Sequence, residues 1–153
     1  KKKDSEIAVS DIVVKTLQKE SDWGVKKLEK FIKFDDNIKE LKSNTLSLIN
    51  NLKLEGNRIG GFGAPAKGNT LLTYYGLSSK HIEVIADNTK LKYGKFTPGS
   101  HIPIVNDNEF IALGFSYALL LSWNYKEFFL NNSEYIKQGG KFIVPFPKPS
   151  ILP

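Results

Sequence analysis

Apolar positions set the order of elements along the chain. From Asp22 to Leu54 no glycine or proline follows Gly24, and Phe31, Phe34, Ile38, Leu41, Thr45, Leu48 and Leu52 recur at alternating steps of three and four. That spacing predicts one long amphipathic helix over about residues 25–54, roughly 45 Å at 1.5 Å per residue, with Gly56 placed for the left-handed position just past its end. A helix of that length exceeds what a small α/β unit covers, so part of its stripe is expected to face another body. Ahead of it, Ile7, Val9, Ile12, Val13 and Leu17 form a shorter pattern that Ser10 can cap, predicting a helix towards Glu20. The Lys1-Lys2-Lys3 start reads as a solvated end or the remnant of a linker.

Beyond Gly56 the pattern changes to short apolar runs. Arg58-Ile59 leads into Gly60-Gly61-Phe62-Gly63-Ala64-Pro65-Ala66-Lys67-Gly68-Asn69-Thr70, and Leu71 to Tyr75 then run to Gly76. This reads as a strand, a glycine-rich turn and a helix ending at a glycine cap. His81 to Asp87 predicts a second short strand, and Ile102-Pro103-Ile104 a third. Tyr117 to Ser122 is a continuous apolar strand of the kind buried on both faces, followed by Trp123-Asn124 and a helix to Lys137. Gly139-Gly140 turns into a last strand, Lys141 to Val144, after which Pro145, Pro147 and Pro149 are expected to end regular structure. Strands alternating with helices predict an α/β fold, a Rossmann-like doubly wound and mainly parallel sheet with a long helical lead-in. The expected division is a lead-in at residues 1–56 and an α/β part at 57–150, together one structural domain over 1–153.

Composition narrows the chemistry. The 153 residues include no cysteine and two histidines, which leaves no thiolate chemistry, no disulfide and no His-rich metal site, so no metal is expected here. The net charge of +6 is spread thinly, with 12 basic and 10 acidic residues before Asn57 and 10 and 6 after Gly56. Arg58 is the single arginine. Without a clustered basic face or arginine readers, nucleic acid is not an expected partner. No apolar run reaches the roughly 20 residues of a membrane helix and no signal segment opens the chain, so neither a membrane partner nor export is expected and the location is read as cytoplasmic. A start at Lys1 rather than methionine is expected of a processed product or a piece of a longer polypeptide.

The candidate site lies where the predicted strands end. A strand-to-helix elbow exposes backbone N–H groups at a helix N-terminus, Gly61 and Gly63 remove side chains that would hold a phosphate away, and Lys67 adds a positive charge at the same mouth. Tight strand–helix packing without a ligand is the competing reading of such a turn. Asp87, ending the second strand, suits either ribose hydroxyls or a turn continued by Asn88. The loop carrying Lys90, Lys92 and Lys95 is either an anion-binding loop or a solvated charge run. His101, between a Pro98-Gly99 turn and a strand, is a candidate supporting residue or a structural histidine, while His81 reads as a surface residue.

Five ordered motifs then carry a resemblance. Gly63-Ala64-Pro65-Ala66-Lys67-Gly68-Asn69-Thr70-Leu71-Leu72, Asp87 with Lys92, Gly94 and Lys95, Pro98-Gly99-Ser100-His101-Ile102-Pro103-Ile104, Leu121-Ser122-Trp123-Asn124 and Gly139-Gly140-Lys141-Phe142-Ile143-Val144-Pro145 are similar to the C-terminal domain of the nucleotide-sugar C-methyltransferases. The similarity runs from about Ser21 to Pro149. It implies a transferase that moves a methyl group from S-adenosylmethionine to a ring carbon of a nucleotide-linked keto-deoxysugar. It also implies zinc in a preceding N-terminal domain, and the methyl donor and principal base in a central domain. The corresponding Cys-rich motif and acidic glycine loop do not occur in this sequence. Implied substrate-binding residues are Gly61, Gly63, Lys67, Asn69, Asp87, Lys92, Lys95, Ser100, His101, Trp123 and Asn124, with no cofactor in this chain and the preceding domains as partners. Tyr93, Lys90 and Ser100 depart from the usual Gln, Pro and Thr, and all three fall in the loop before the third strand. A fragment of an NAD(P)-dependent oxidoreductase would share Gly61-x-Gly63-x-x-Ala66 and Asp87, and a non-catalytic scaffold or oligomerisation domain would use the long helix; both remain open on the sequence.

Overall fold

The structure, a computed structural model, describes residues 9–153; Ile7 and the Lys1-Lys2-Lys3 run lie outside the described residues. The described residues fall into two compact units, one up to Glu40 and the other from Leu41 to Pro153. The first holds α1 (Asp11–Trp23) and the start of α2 (Leu28–Leu54). Ser10 caps α1 by accepting a hydrogen bond from the Ile12 N–H, and Gly24 closes it in the left-handed conformation at φ 88°. None of the α1 residues is buried. In α2 the buried residues are Thr45, Ile49 and Leu52, all in the second unit. Gly56, at φ 85°, ends α2 where the sequence places a left-handed residue.

The second unit is a six-stranded sheet in the order β3-β2-β1-β4-β5-β6. Its strands are β1 (Ile59–Phe62), β2 (Ile85–Ala86), β3 (Ile104–Val105), β4 (Tyr117–Leu120), β5 (Lys141–Val144) and β6 (Ser150–Leu152). Every pairing is parallel except that of β5 with β6. This is the doubly wound, Rossmann-like arrangement, and the order reverses between β1 and β4. Alternation along the strands sorts the core. Leu119, Leu121 and Ile143 pack with Ile49 and Leu52 of α2 and with Leu71, Leu72 and Tyr75 of α3 (Ala66–Tyr75). Ala118, Leu120, Phe142 and Val144 face the other way, onto Phe110 of α4 (Asp107–Ala112), Tyr135 of α6 (Glu134–Lys137), and Phe129 and Leu130 of α5 (Lys126–Asn132).

Several elements depart from the sequence expectation. Of His81–Asp87 only Ile85 and Ala86 are strand, and His81 instead accepts a hydrogen bond from the Ser78 N–H through Nδ1. The helix expected up to Lys137 is broken into a short 3-10 turn, Trp123–Tyr125, then α5 and α6 with Ser133 between them. Regular structure also continues past the prolines. β6 pairs antiparallel to β5 because the short connection between Val144 and Ser150 reverses the chain without a crossover, and Pro145, Pro147 and Pro149 lie in that connection and take no donor from the ladder. Among the described residues no helix is long and apolar enough to cross a membrane.

Candidate functional site

The carboxyl ends of β1, β2 and β4 meet at Gly63, Asp87 and Ser122. Gly63 follows β1 at φ 80°, and a Cβ there would stand 2.3 Å from the Ser122 Oγ, so glycine is required both by the backbone and by the contact. Gly61 differs from expectation. It is buried inside β1, and its missing Cβ leaves room for Ile85 Cγ1, which would lie 2.8 Å away. Gly68 is likewise a packing position, with Leu121 Cβ at 2.9 Å from where its own Cβ would be. Thus Gly61 and Gly68 bring helix and strands together, and only Gly63 shapes the open turn.

Asp87 is the hub of that turn. Its Oδ2 accepts from the Ala64 N–H at 2.7 Å and from Lys92 Nζ at 3.0 Å, and its Oδ1 accepts from the Thr89 N–H at 2.9 Å. Lys92 Nζ also donates to the Ala64 carbonyl at 3.0 Å. Burial alone would raise the Asp87 carboxyl, but the bonds from Thr89, Lys92 and Ala64 outweigh it and hold it below the ordinary value. The pair Asp87–Lys92 therefore clasps the end of β2 to the start of the β1–α3 turn. Lys92 is committed to this clasp, while Lys90 and Lys95 are exposed.

Lys67 occupies the first turn of α3. Its ammonium lies 4.7 Å from the centre of the Trp123 ring and 5.9 Å from that of Tyr125, and it donates to Asn124 Oδ1. Trp123 is braced from Phe146 at 5.0 Å between centroids. Residues from the β1–α3 turn and from the end of β4 thus converge on one cation beside the helix N-terminus, a pairing that orients it without neutralising it. Asn69 is on the same helix; its Oδ1 is buried and has no hydrogen-bond partner among the described residues.

Ser100 and His101 are not brought here. The backbone bonds Gly94 N–H to Ile104 O, Ile104 N–H to Lys95 O and Thr97 N–H to Ile102 O fold residues 94–104 into a hairpin. Its turn therefore precedes β3 and lies at the amino end of a strand parallel to β2. Ser100 is buried there, sharing a 2.7 Å hydrogen bond with Thr97 Oγ1. His101 is exposed and adopts φ 51°, in the left-handed region. The three lysines and the Gly/Pro turns predict a loop at the ligand edge; the hairpin carries its tip back towards the amino end of β3 instead.

Two further residues belong to this edge. Tyr125 joins the Lys67 cluster, and Asp107 opens α4 close to Asp87, its carboxyl raised by burial and by that neighbouring charge. An aromatic next to Trp123-Asn124 was the available signal for the first; no signal in the sequence set Asp107 apart from a capping acid. Among the described residues no group of three or more His, Asp or Glu is placed to hold a metal ion.

Comparison with known proteins fits this architecture to a family. The family of the C-methyltransferase C-terminal domain matches over residues 1–147. The chain belongs to that family. It is also 34% identical over 145 residues to C-methyltransferase NovU of Streptomyces niveus, a match covering 94% of this chain and 34% of that protein. The chain therefore spans about a third of the length of the curated relative it matches. The family is one of methyltransferases, and its C-terminal domain here takes the form of a doubly wound sheet with a clasped β1–α3 turn.

Proposed function

We propose that this chain is the substrate-binding C-terminal part of an S-adenosylmethionine-dependent C-methyltransferase acting on a nucleotide-linked keto-deoxysugar in the cytoplasm. The observation that carries the reading is Lys67, held over Trp123 and Tyr125 at the N-terminus of α3, on the sheet edge where doubly wound folds bind ligands. A diphosphate suits such a mouth. The methyl donor, a sulfonium cation, does not suit it, and the acid that would hold a ribose, Asp87, is 8% exposed and already accepts from Ala64, Thr89 and Lys92. The same engagement disfavours NAD. On this reading the chain binds and orients the sugar nucleotide, and the preceding domains of the full-length protein hold the donor and remove the ring proton.

Calorimetric titration of the chain with UDP-glucose, dTDP-glucose, NAD and S-adenosylmethionine tests this. Saturable binding is expected for a nucleotide sugar and for neither of the other two. Lys67→Ala should weaken that binding by on the order of tenfold to a hundredfold, the size of one charge-assisted contact of about 1.5–3 kcal/mol. Saturable donor binding, or an unchanged Kd in Lys67→Ala, would overturn the assignment.

A further inference from the structure

On the α4, α5 and α6 side of the carboxyl edge lies a cavity of about 240 Å³ that the Lys67 mouth does not include. Its polar lining is Asn88, Asp107, Asn108, Asn132, Ser133 and Glu134, and Phe128 and Phe129 supply aromatic surface. A smaller cavity of about 70 Å³, bounded by Gly63, Asp87 and Ser122, adjoins it and shares Phe62, Asn88, Asp107 and Phe129. No lysine or arginine lines either space. Gly63 begins the turn that leads to Lys67 and Ser122 precedes Trp123, yet neither space is lined by Lys67, Trp123 or Tyr125.

The charges around the cavity are mostly matched already. Asp87 is paired with Lys92 and Glu134 with Lys137 at 2.6 Å, while Asn132 Nδ2 donates to the Phe128 carbonyl. Asp107 is left as a partly buried carboxylate without a hydrogen-bond donor among the described residues, and Asn88 and Asn108 flank it with both donor and acceptor capacity. An anionic guest would meet carboxylates and no cation. A wholly apolar guest would strip water from Asp107 and replace it with nothing. A ring bearing hydroxyls satisfies the set: it donates to the carboxylate, exchanges hydrogen bonds in both directions with the amides, and lays its C–H face on the phenylalanines. The volume also limits the guest, being below the roughly 300–1,000 Å³ of sites for drug-sized ligands, so it suits one ring rather than a dinucleotide.

We propose that this cavity receives a neutral, hydroxyl-bearing ring, the sugar moiety of the substrate, with Asp107, Asn88 and Asn108 as its polar readers and Phe128 as its stacking surface. The inference rests on the nucleotide-sugar reading above and adds which side of the carboxyl edge takes the ring. An ¹⁵N-labelled sample of the chain, titrated separately with methyl fucoside, inorganic pyrophosphate and ethylammonium chloride, tests it by NMR. Methyl fucoside should shift the side-chain amides of Asn88 and Asn108 and the backbone signals of Asp107, whereas pyrophosphate should shift Ala66 to Gly68 and spare the cavity. Phe128 is 59% exposed, so Phe128→Ala should fold normally. It should weaken the fucoside response by about twofold to tenfold, the loss of one ring contact, and leave the pyrophosphate response unchanged. Asp107→Asn should weaken the fucoside response as well. No cavity shift with fucoside up to its solubility limit, the same shift in both variants as in the unmodified chain, or a response to ethylammonium alone would overturn the proposal. The pyrophosphate arm fails independently: fucoside binding without pyrophosphate binding removes the phosphate mouth and keeps the cavity.

Discussion

Asp87 shows at the scale of one residue how a sequence motif can change its use. An acid at the end of the second strand suits a ribose, yet here it is 8% exposed and accepts from two backbone N–H groups and one lysine. Because the folded pKa is lowered, the stability that this carboxylate contributes is fully present above the ordinary Asp value of about 3.9 and is lost as pH falls through the lowered folded value. Asp87→Asn is therefore expected to be less stable than the unmodified chain at neutral pH by about 1–3 kcal/mol, since Lys92 and an amide N–H lose their charged acceptor. The gap should begin to narrow below about pH 4, where the carboxyl of the unfolded chain takes up its proton, and close once the pH has fallen through the lowered folded value, where the native carboxyl is protonated too. Urea unfolding from neutral to acid pH reads this directly, and a gap that is constant with pH would mean that the charge of Asp87 does not matter to the clasp. The two readings of Asp87 were both legible in the sequence; choosing between them needed the position of Lys92, five residues on, which only the fold of the intervening turn supplies.

At the scale of elements, what holds the sheet to its helices is the set of places where glycine lets another side chain in. Gly60 in β1 is one such case: a Cβ would lie 2.3 Å from Phe110 Cε2 and 2.5 Å from Cζ. Phe110 cannot retreat, being fully buried and in ring contact with Phe62 at 5.9 Å, Phe115 at 5.0 Å and Tyr135 at 5.4 Å. Gly60→Ala should thus destabilise the chain by about 1–3 kcal/mol through overpacking, and Phe110→Leu in the same background should recover part of the loss by making room. Additive losses in the double variant would show that the clash is relieved elsewhere. The β1 turn, the Gly76 cap at φ 72°, β4, β5 and the long helix were readable because periodicity and glycine placement are local signals. α4 and β6 were not, because a six-residue helix carries too little period to register and an edge strand after three prolines looks like a loop. The 94–104 hairpin was hidden for a related reason. Its pairing depends on contacts such as Ile102 N–H to Thr97 Oγ1 at 2.9 Å, which no apolar pattern announces.

The whole molecule pairs an α/β unit with a well-formed core and a helical unit that buries almost nothing. Among the described residues all the buried hydrophobic ones fall at Ile49 or later, whereas Ile12 is 74% exposed and Leu28 75%. The sequence pattern announced an amphipathic lead-in longer than the α/β unit covers, but not that burial along α2 would begin only at Thr45, since periodicity marks which side is apolar and not what meets it. α1 consequently depends on local terms: the Ser10 cap, the Gly24 closure and, at its end, a ring contact of 5.5 Å between Trp23 and Phe31. A helix of 13 residues supported in this way is marginal in water. Amide hydrogen exchange on the chain is therefore expected to show weak protection across Asp11–Trp23 and strong protection across β1, β4 and α3, with α1 opening at a small fraction of the global unfolding free energy. Ser10→Ala should reduce what protection α1 has by about 1 kcal/mol and leave the exchange of β4 untouched, because the cap supports only the helix it begins. Protection of α1 equal to that of β4, at protein concentrations low enough to exclude self-association, would mean that its apolar residues are covered in solution and that local capping is not what holds the helix.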